Sequence, residues 1–223
     1  LVTSRRTKMK LFLDSAIIKD IDERLCTGVI EGVTTNPTLI KRSGKDPNDV
    51  YADLIQDLGV KDVSIEVDGL DAQTLILNGI KYAEQWKQEA TIKLPCTKEG
   101  INACKTLSYM GVRTNMTLVF SVEQAILCAL AGATYVSPFI GRLDDNGESG
   151  IGLIRDIATV FCHNRTDTKI LAASIRDPLT VGLAFTAGAH ICTVPVHVFD
   201  EMFRHELTDA GLAQFLLDSG QIS

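Results

Sequence analysis

The feature that most constrains this chain is an alternation along its length. Short apolar runs recur, and each is followed by a longer segment of helical periodicity. The strand-like runs are 10–15, 28–36, 63–67, 91–95, 113–119, 134–139, 169–174 and 190–195. Helical segments lie between them at 46–58, 71–88, 98–109, 121–131, 151–163 and 178–187. A strand joined by a helix to the next strand makes a parallel pair, so the pattern predicts a sheet covered by helices on its faces. Eight such units within 223 residues suit a single eight-stranded parallel β/α (TIM) barrel, a fold that starts near ~200 residues. A doubly wound open sheet is the competing arrangement. The segment 208–219 reads as an extra C-terminal helix outside the ring, where it could pack on another subunit.

Local signals agree with these elements. Asp71 and Ser121 stand where helix N-caps belong, and Gly59, Gly111, Gly132 and Gly188 where helices should stop. There is no Pro- or Gly-rich linker, so residues 9–223 are expected to form one catalytic-size domain. The first eight residues, LVTSRRTK, lack the apolar core of a signal peptide and read as a disordered leader or expression remnant before Met9.

Composition narrows the partners. Hydrophobic residues are 45 % and charged residues 22 %, ordinary for a globular chain that buries a full core. The formal charge of −6 weighs against nucleic acid or an anionic membrane as a partner. No apolar run approaches the ~20 residues needed to cross a bilayer. The six cysteines, at 26, 96, 104, 128, 162 and 192, include no Cys-x-x-Cys pair and no histidine at metal-ligand spacing. They read as free thiols of a reducing cytoplasm.

Strand parity points to a functional surface. Side chains on a barrel strand alternate between the helices outside and the axis inside. Where Ile92 and Leu94 face outward, Lys93 faces inward. The same reading turns Asp14, Asn36, Glu66, Asn115, Thr117, Ser137 and Ser174 away from their apolar neighbours. All lie in the second half of their strands, so they should converge at the C-terminal mouth, where barrel enzymes place their chemistry. Buried polar groups cost on the order of 1–3 kcal/mol each when unpaired, so so many on one mouth call for a role other than stability.

Lys93 is the sharpest of these. Burial disfavours an ammonium ion and favours the neutral amine, which attacks a ketone to form an imine. Asp14 and Glu66 are carboxylates available for the proton transfers. The bland alternative is a structural ion pair of Lys93 with Glu66 or Asp14. Arg142 and Arg176 follow strands six and seven and could clamp a phosphate with help from Ser174, or could be solvated surface residues. The four histidines, at 163, 190, 197 and 205, do not converge on the mouth, and no metal site is expected.

Several segments together resemble the transaldolase family: GVTTNPTLI (32–40), SIEVD (64–68), IKLPCTKEG (92–100), TNMTLVFS (114–121), VSPFIGRLDD (136–145) and AASIR (172–176). They occur in the family's order, and the resemblance runs from Met9 to about residue 218, closest to the short microbial transaldolases and related fructose-6-phosphate aldolases. The resemblance implies a cofactor-free enzyme that moves a dihydroxyacetone unit between sugar phosphates, with Lys93 as the Schiff-base lysine. It implies Asp14 as the acceptor of the hydroxyl proton, and Glu66 with Thr117 as the pair that positions a catalytic water. By the same resemblance Asn36, Asn115 and Ser137 bind the sugar chain, Phe139 lines the pocket, and Arg142, Ser174 and Arg176 hold the phosphate. The aldolase subgroup resembles glutamine at position 66 and tyrosine at position 139, so Glu66 and Phe139 favour transfer over aldol cleavage. A non-catalytic sugar-phosphate binding protein is the alternative of a different class. Short relatives form rings, so a homo-oligomer is implied.

Overall fold

The computed structural model describes residues 9–221, and the segment 1–8 lies outside the described residues. Its strands are β1 (Lys10–Asp14), β2 (Ile30–Thr34), β3 (Val63–Glu66), β4 (Ala90–Pro95), β5 (Thr114–Val119), β6 (Tyr135–Pro138), β7 (Lys169–Ala172) and β8 (Ile191–Val194). Neighbours pair in parallel in sequence order. The ring closes where Lys10 to Leu13 of β1 register with Ile191 to Val194 of β8. That closure is what excludes the open sheet, which would leave β1 and β8 apart.

Alternation along each strand separates two apolar regions. The larger lies between sheet and helices, and includes Leu13, Val33, Ile65, Ile92, Leu94, Met116 and Val136, all without solvent exposure. Each such side chain contributes about 1.5–3 kcal/mol by leaving water. The smaller cluster sits inside the ring and joins Phe12, Tyr135, Leu171, Ala173 and Ile191. Gly32 makes it fit: a Cβ there would stand 2.6 Å from Cζ of Phe12.

Two strands depart from simple alternation. In β5 the expected outward Leu118 takes φ +59, and Val119 packs into the outer core instead. The pairing of β5 with β6 slips between Met116 and Val119 as a result. In β7, Leu171 and Ala173 point into the ring rather than out of it. Ser174 reaches the same interior only because its backbone turns, at φ +62.

The helical segments read from the sequence are all present, with Asp71 and Ser121 capping through their side chains. The expected helix 46–58 is helical over Pro47–Ala52 and continues as a π turn, Asp53–Asp57. Four short helices were not anticipated: Ile18–Leu25, Pro37–Ser43, Ile140–Asp145 and Val196–Glu201. None exceeds eight residues, which is too few for a 3.6-residue period to show. The C-terminal helix Glu206–Asp218 exists and buries none of its residues in this chain. No helix among the described residues is long and apolar enough to cross a membrane.

The N-terminal end of the barrel is closed by a buried polar network on Asp62. Its carboxylate accepts hydrogen bonds from Thr91 Oγ1 at 2.8 Å, Arg113 Nη1 at 2.9 Å and the Tyr135 hydroxyl at 2.7 Å. Asp62 is 5 % exposed. Removing it leaves the buried Thr91 and Tyr135 hydroxyls without their acceptor, while the Arg113 side chain, 32 % exposed, can regain water. Asp62→Ala is therefore expected to cost about 1–3 kcal/mol of stability, measured as a fall in the denaturant midpoint at unchanged slope. Because the network lies at the end opposite the mouth, turnover at a temperature where the variant is folded should be little changed.

Candidate active site

Lys93 stands at the centre of β4 and is 5 % exposed. Strand register places Glu66 of β3 on one side of it and Asn115 of β5 on the other. Its Nζ donates to Glu66 Oε2 at 2.7 Å and to the Thr35 carbonyl at 3.0 Å. The lysine and glutamate side chains are 6 % and 22 % exposed, so the pair is shielded on the lysine side and reachable on the other. The ion pair expected as the bland reading is thus present, and it aims the amine into the barrel axis.

Asp14 ends β1 in the same mouth. It accepts a hydrogen bond from Thr34 Oγ1 at 2.7 Å. Thr34 in turn shares a 2.6 Å hydroxyl contact with Thr193 of β8. Burial pushes the Asp14 carboxyl above the usual carboxylate range, and Glu66 adds to the rise; the Thr34 hydrogen bond and the Lys93 charge act against it. A carboxyl held above its ordinary pKa and facing a cavity is suited to proton transfer.

On the other side of Lys93 a chain of hydrogen bonds fixes Asn115. Ser137 Oγ donates to its Oδ1 at 2.6 Å, and its Nδ2 donates to Ser64 Oγ at 3.1 Å. Thr117 lies two residues further toward the mouth, in register with Pro95 of the lysine strand. Its Oγ1 is one of three buried side-chain polar atoms among the described residues with no hydrogen-bond partner. A hydroxyl left so in a native interior is one that takes its partner from water or ligand.

A cavity of about 140 Å³ opens at this mouth, and Glu66 and Thr117 are not among the residues that line it. Of the residues singled out in the sequence, Asp14, Asn36, Lys93, Asn115, Ser137, Phe139, Arg142 and Ser174 line it. Asn36 has a second task, since its Oδ1 caps helix Pro37–Ser43 through Leu39 N–H at 2.9 Å. Arg142 lies over the Phe139 ring, 5.0 Å from its centroid. Glu66 meets the cavity through Lys93. Arg176 is turned to the surface and holds the Asp145 carboxylate through both Nη atoms.

Thr34, Thr193 and Ser64 complete the arrangement and were not anticipated. Strand parity was the available signal, because Thr34 shares the face of Asn36. A larger hollow of about 730 Å³ opens at the opposite end of the barrel, beside Lys61, Lys87 and Arg113. Its lysines, Lys61 and Lys87, are exposed, unlike the buried Lys93, and size alone does not make it the site. Among the described residues no group of three or more His, Cys, Asp and Glu side chains is arranged to hold a metal ion.

A closed β/α barrel with a buried amine paired to one carboxylate, and a second carboxylate in the same C-terminal mouth, defines the class to which this molecule belongs. The model of the Transaldolase/Fructose-6-phosphate aldolase family matches residues 11–221. The chain is 49 % identical over 210 residues to a probable transaldolase of Symbiobacterium thermophilum, covering 94 % of this chain and 96 % of the relative. It is 47 % identical over 213 residues to a probable transaldolase of Carboxydothermus hydrogenoformans, covering 94 % and 97 %. A probable transaldolase of Aquifex aeolicus is 44 % identical over 210 residues, covering 94 % and 96 %. The chain belongs to the transaldolase/fructose-6-phosphate aldolase family.

Proposed function

We propose that this chain is a Schiff-base transaldolase that transfers a dihydroxyacetone unit from a ketose phosphate to an aldose phosphate. The observation that carries the reading is Lys93 itself, a buried amine hydrogen-bonded to Glu66 and aimed into a cavity that also holds Asp14. Attack of the Lys93 amine on the ketone carbon gives a carbinolamine. Loss of water, with protons moved by a water held between Glu66 and Thr117, gives the protonated imine. That cation is an electron sink. Asp14 takes the proton of the hydroxyl beyond the breaking bond, the C–C bond cleaves, and an aldose phosphate leaves. The enamine of dihydroxyacetone stays on Lys93 until an acceptor aldehyde arrives, and the steps then reverse.

The remaining cavity residues fit this substrate. Asn36, Asn115 and Ser137 offer donors and acceptors to the sugar hydroxyls, and Phe139 bounds the pocket. Arg142, Ser174 and Arg176 bind the phosphate. Fructose 6-phosphate or sedoheptulose 7-phosphate is the donor, in the pentose phosphate pathway of the cytoplasm, and no cofactor takes part. Residues 9–223 form one catalytic domain. The chain works as a homo-oligomer, with the helix Glu206–Asp218 covering its exposed Leu207 and Phe215, 77 % and 72 % accessible, against a second copy.

The test is a coupled assay for glyceraldehyde 3-phosphate released from fructose 6-phosphate, with and without erythrose 4-phosphate. Release that depends on the acceptor is expected. Sustained release without acceptor would make the chain an aldolase, despite Glu66 and Phe139. Ligand binding with no release would leave a sugar-phosphate binding protein.

A further inference from the structure

The phosphate clamp of the proposed function includes one arginine that does not face the cavity. Arg176 projects along the surface instead, and the helix Ile140–Asp145 receives it. Residues four apart on a helix share a face. Here Gly141 and Asp145 make a seat. A Cβ at Gly141 would stand 3.0 Å from Arg176 Nε and 2.2 Å from the Ser174 carbonyl, so the glycine leaves the room in which the guanidinium lies. Asp145 then closes on the end of that guanidinium, one oxygen to Nη1 and the other to Nη2. Arg142, on the same short helix, lines the cavity with Ser174.

We propose that Asp145 is a specificity-determining positioning residue: a latch that holds Arg176 beside the empty site and gives it up to a phosphate-bearing ligand. This rests on the reading of Arg142, Ser174 and Arg176 as a phosphate site. The chemistry is one of exclusive partners. An arginine binds a carboxylate or a phosphate through the same pair of parallel N–H groups. While both Nη atoms are held end-on by Asp145, the edge left over is the Nε side, and Nε lies against Gly141 of the same helix. The pair is about half exposed, 54 % for Arg176 and 55 % for Asp145, and an exposed pair is weak enough to be exchanged for a dianion. The latch therefore discriminates. A ligand with a phosphate replaces the lost partner, while an unphosphorylated ketose has nothing to offer Arg176 and leaves it docked.

Asp145→Asn keeps the size of the side chain and removes the charge. Titration calorimetry with inorganic phosphate as the probe should show about fivefold tighter binding in the variant, the order expected for a released exposed bidentate pair. In the acceptor-dependent assay KM for fructose 6-phosphate should fall by a similar factor at unchanged kcat. KM for unphosphorylated fructose should not move. The gain should vanish in the double variant with Arg176→Gln. Unchanged or weaker phosphate binding in Asp145→Asn, while Arg176→Gln alone weakens it, would overturn the latch and leave the phosphate site standing. A gain that survives Arg176→Gln would also overturn it, since a general loss of negative charge would then be the cause. Phosphate affinity that Arg176→Gln leaves unaltered would remove Arg176 from the phosphate site, and the latch with it.

Discussion

Lys93→Met is expected to abolish turnover and the covalent adduct together. Methionine keeps most of the length and volume of the lysine side chain but has no nucleophile, so the imine cannot form. Among the described residues that line the cavity, Lys93 is the lysine. The fold should survive. The substitution removes a buried charge, and the partner it leaves, Glu66, has a side chain 22 % exposed and able to regain water. The measurement is borohydride reduction in the presence of fructose 6-phosphate, followed by intact mass. The wild-type chain should gain the mass of a reduced ketose or dihydroxyacetone adduct, and the variant none. An adduct of equal yield on the variant would mean that another residue is the nucleophile.

Asp14→Asn has the second largest expected effect, and it acts in two opposite directions. Loss of a positioned base typically costs 10²–10⁴ in rate, so kcat should fall by about that factor while the imine still forms on Lys93. Trapped adduct with little product is the signature to look for. Stability should move the other way. The folded-state pKa of Asp14 is raised by burial, so the protonated form is the one the fold favours. Its contribution is fully present below the unfolded pKa near ~3.9 and is lost as pH rises through the higher folded value. At neutral pH the wild-type chain therefore carries the cost of a buried carboxylate, and the asparagine variant does not. Asn can still accept the Thr34 hydroxyl. The variant should melt at a higher temperature than the wild type at pH 7, and the difference should shrink toward acid. Equal melting temperatures across that range would show that Asp14 ionises in the fold as easily as in water.

Much of this molecule was legible in its sequence, for reasons that can be named. The eight strands stand out because each is a short apolar run bounded by turn residues, and a parallel strand is buried on both faces. Lys93 stands out because it interrupts such a run. Parity then places Lys93, Glu66, Asn115 and Asp14 on the inner face, and the register of β3, β4 and β5 brings the first three side by side. Parity fails where the backbone leaves the extended region. Leu118 at φ +59 and Ser174 at φ +62 reset the alternation of their strands, and no residue type at either position announces it. The short helices were missed because two turns carry no period. One of them, Ile140–Asp145, carries Arg142 and, through Asp145, docks Arg176.

What the sequence by itself determined is the set of local and periodic facts: which segments are strands, which helices they alternate with, which caps start them, and which polar residues share a face. These follow from neighbours within a few positions, where geometry is set by the backbone. What only the tertiary structure decided is everything that depends on closure of the ring. The pairing of Lys93 with Glu66 across 27 positions, the contact of Thr34 with Thr193 across 159 and the docking of Arg176 on Asp145 across 31 are distances through space. They arise because eight strands must tilt and stagger to close a barrel, and that global condition, felt at no single position of the chain, chooses which inward side chains meet.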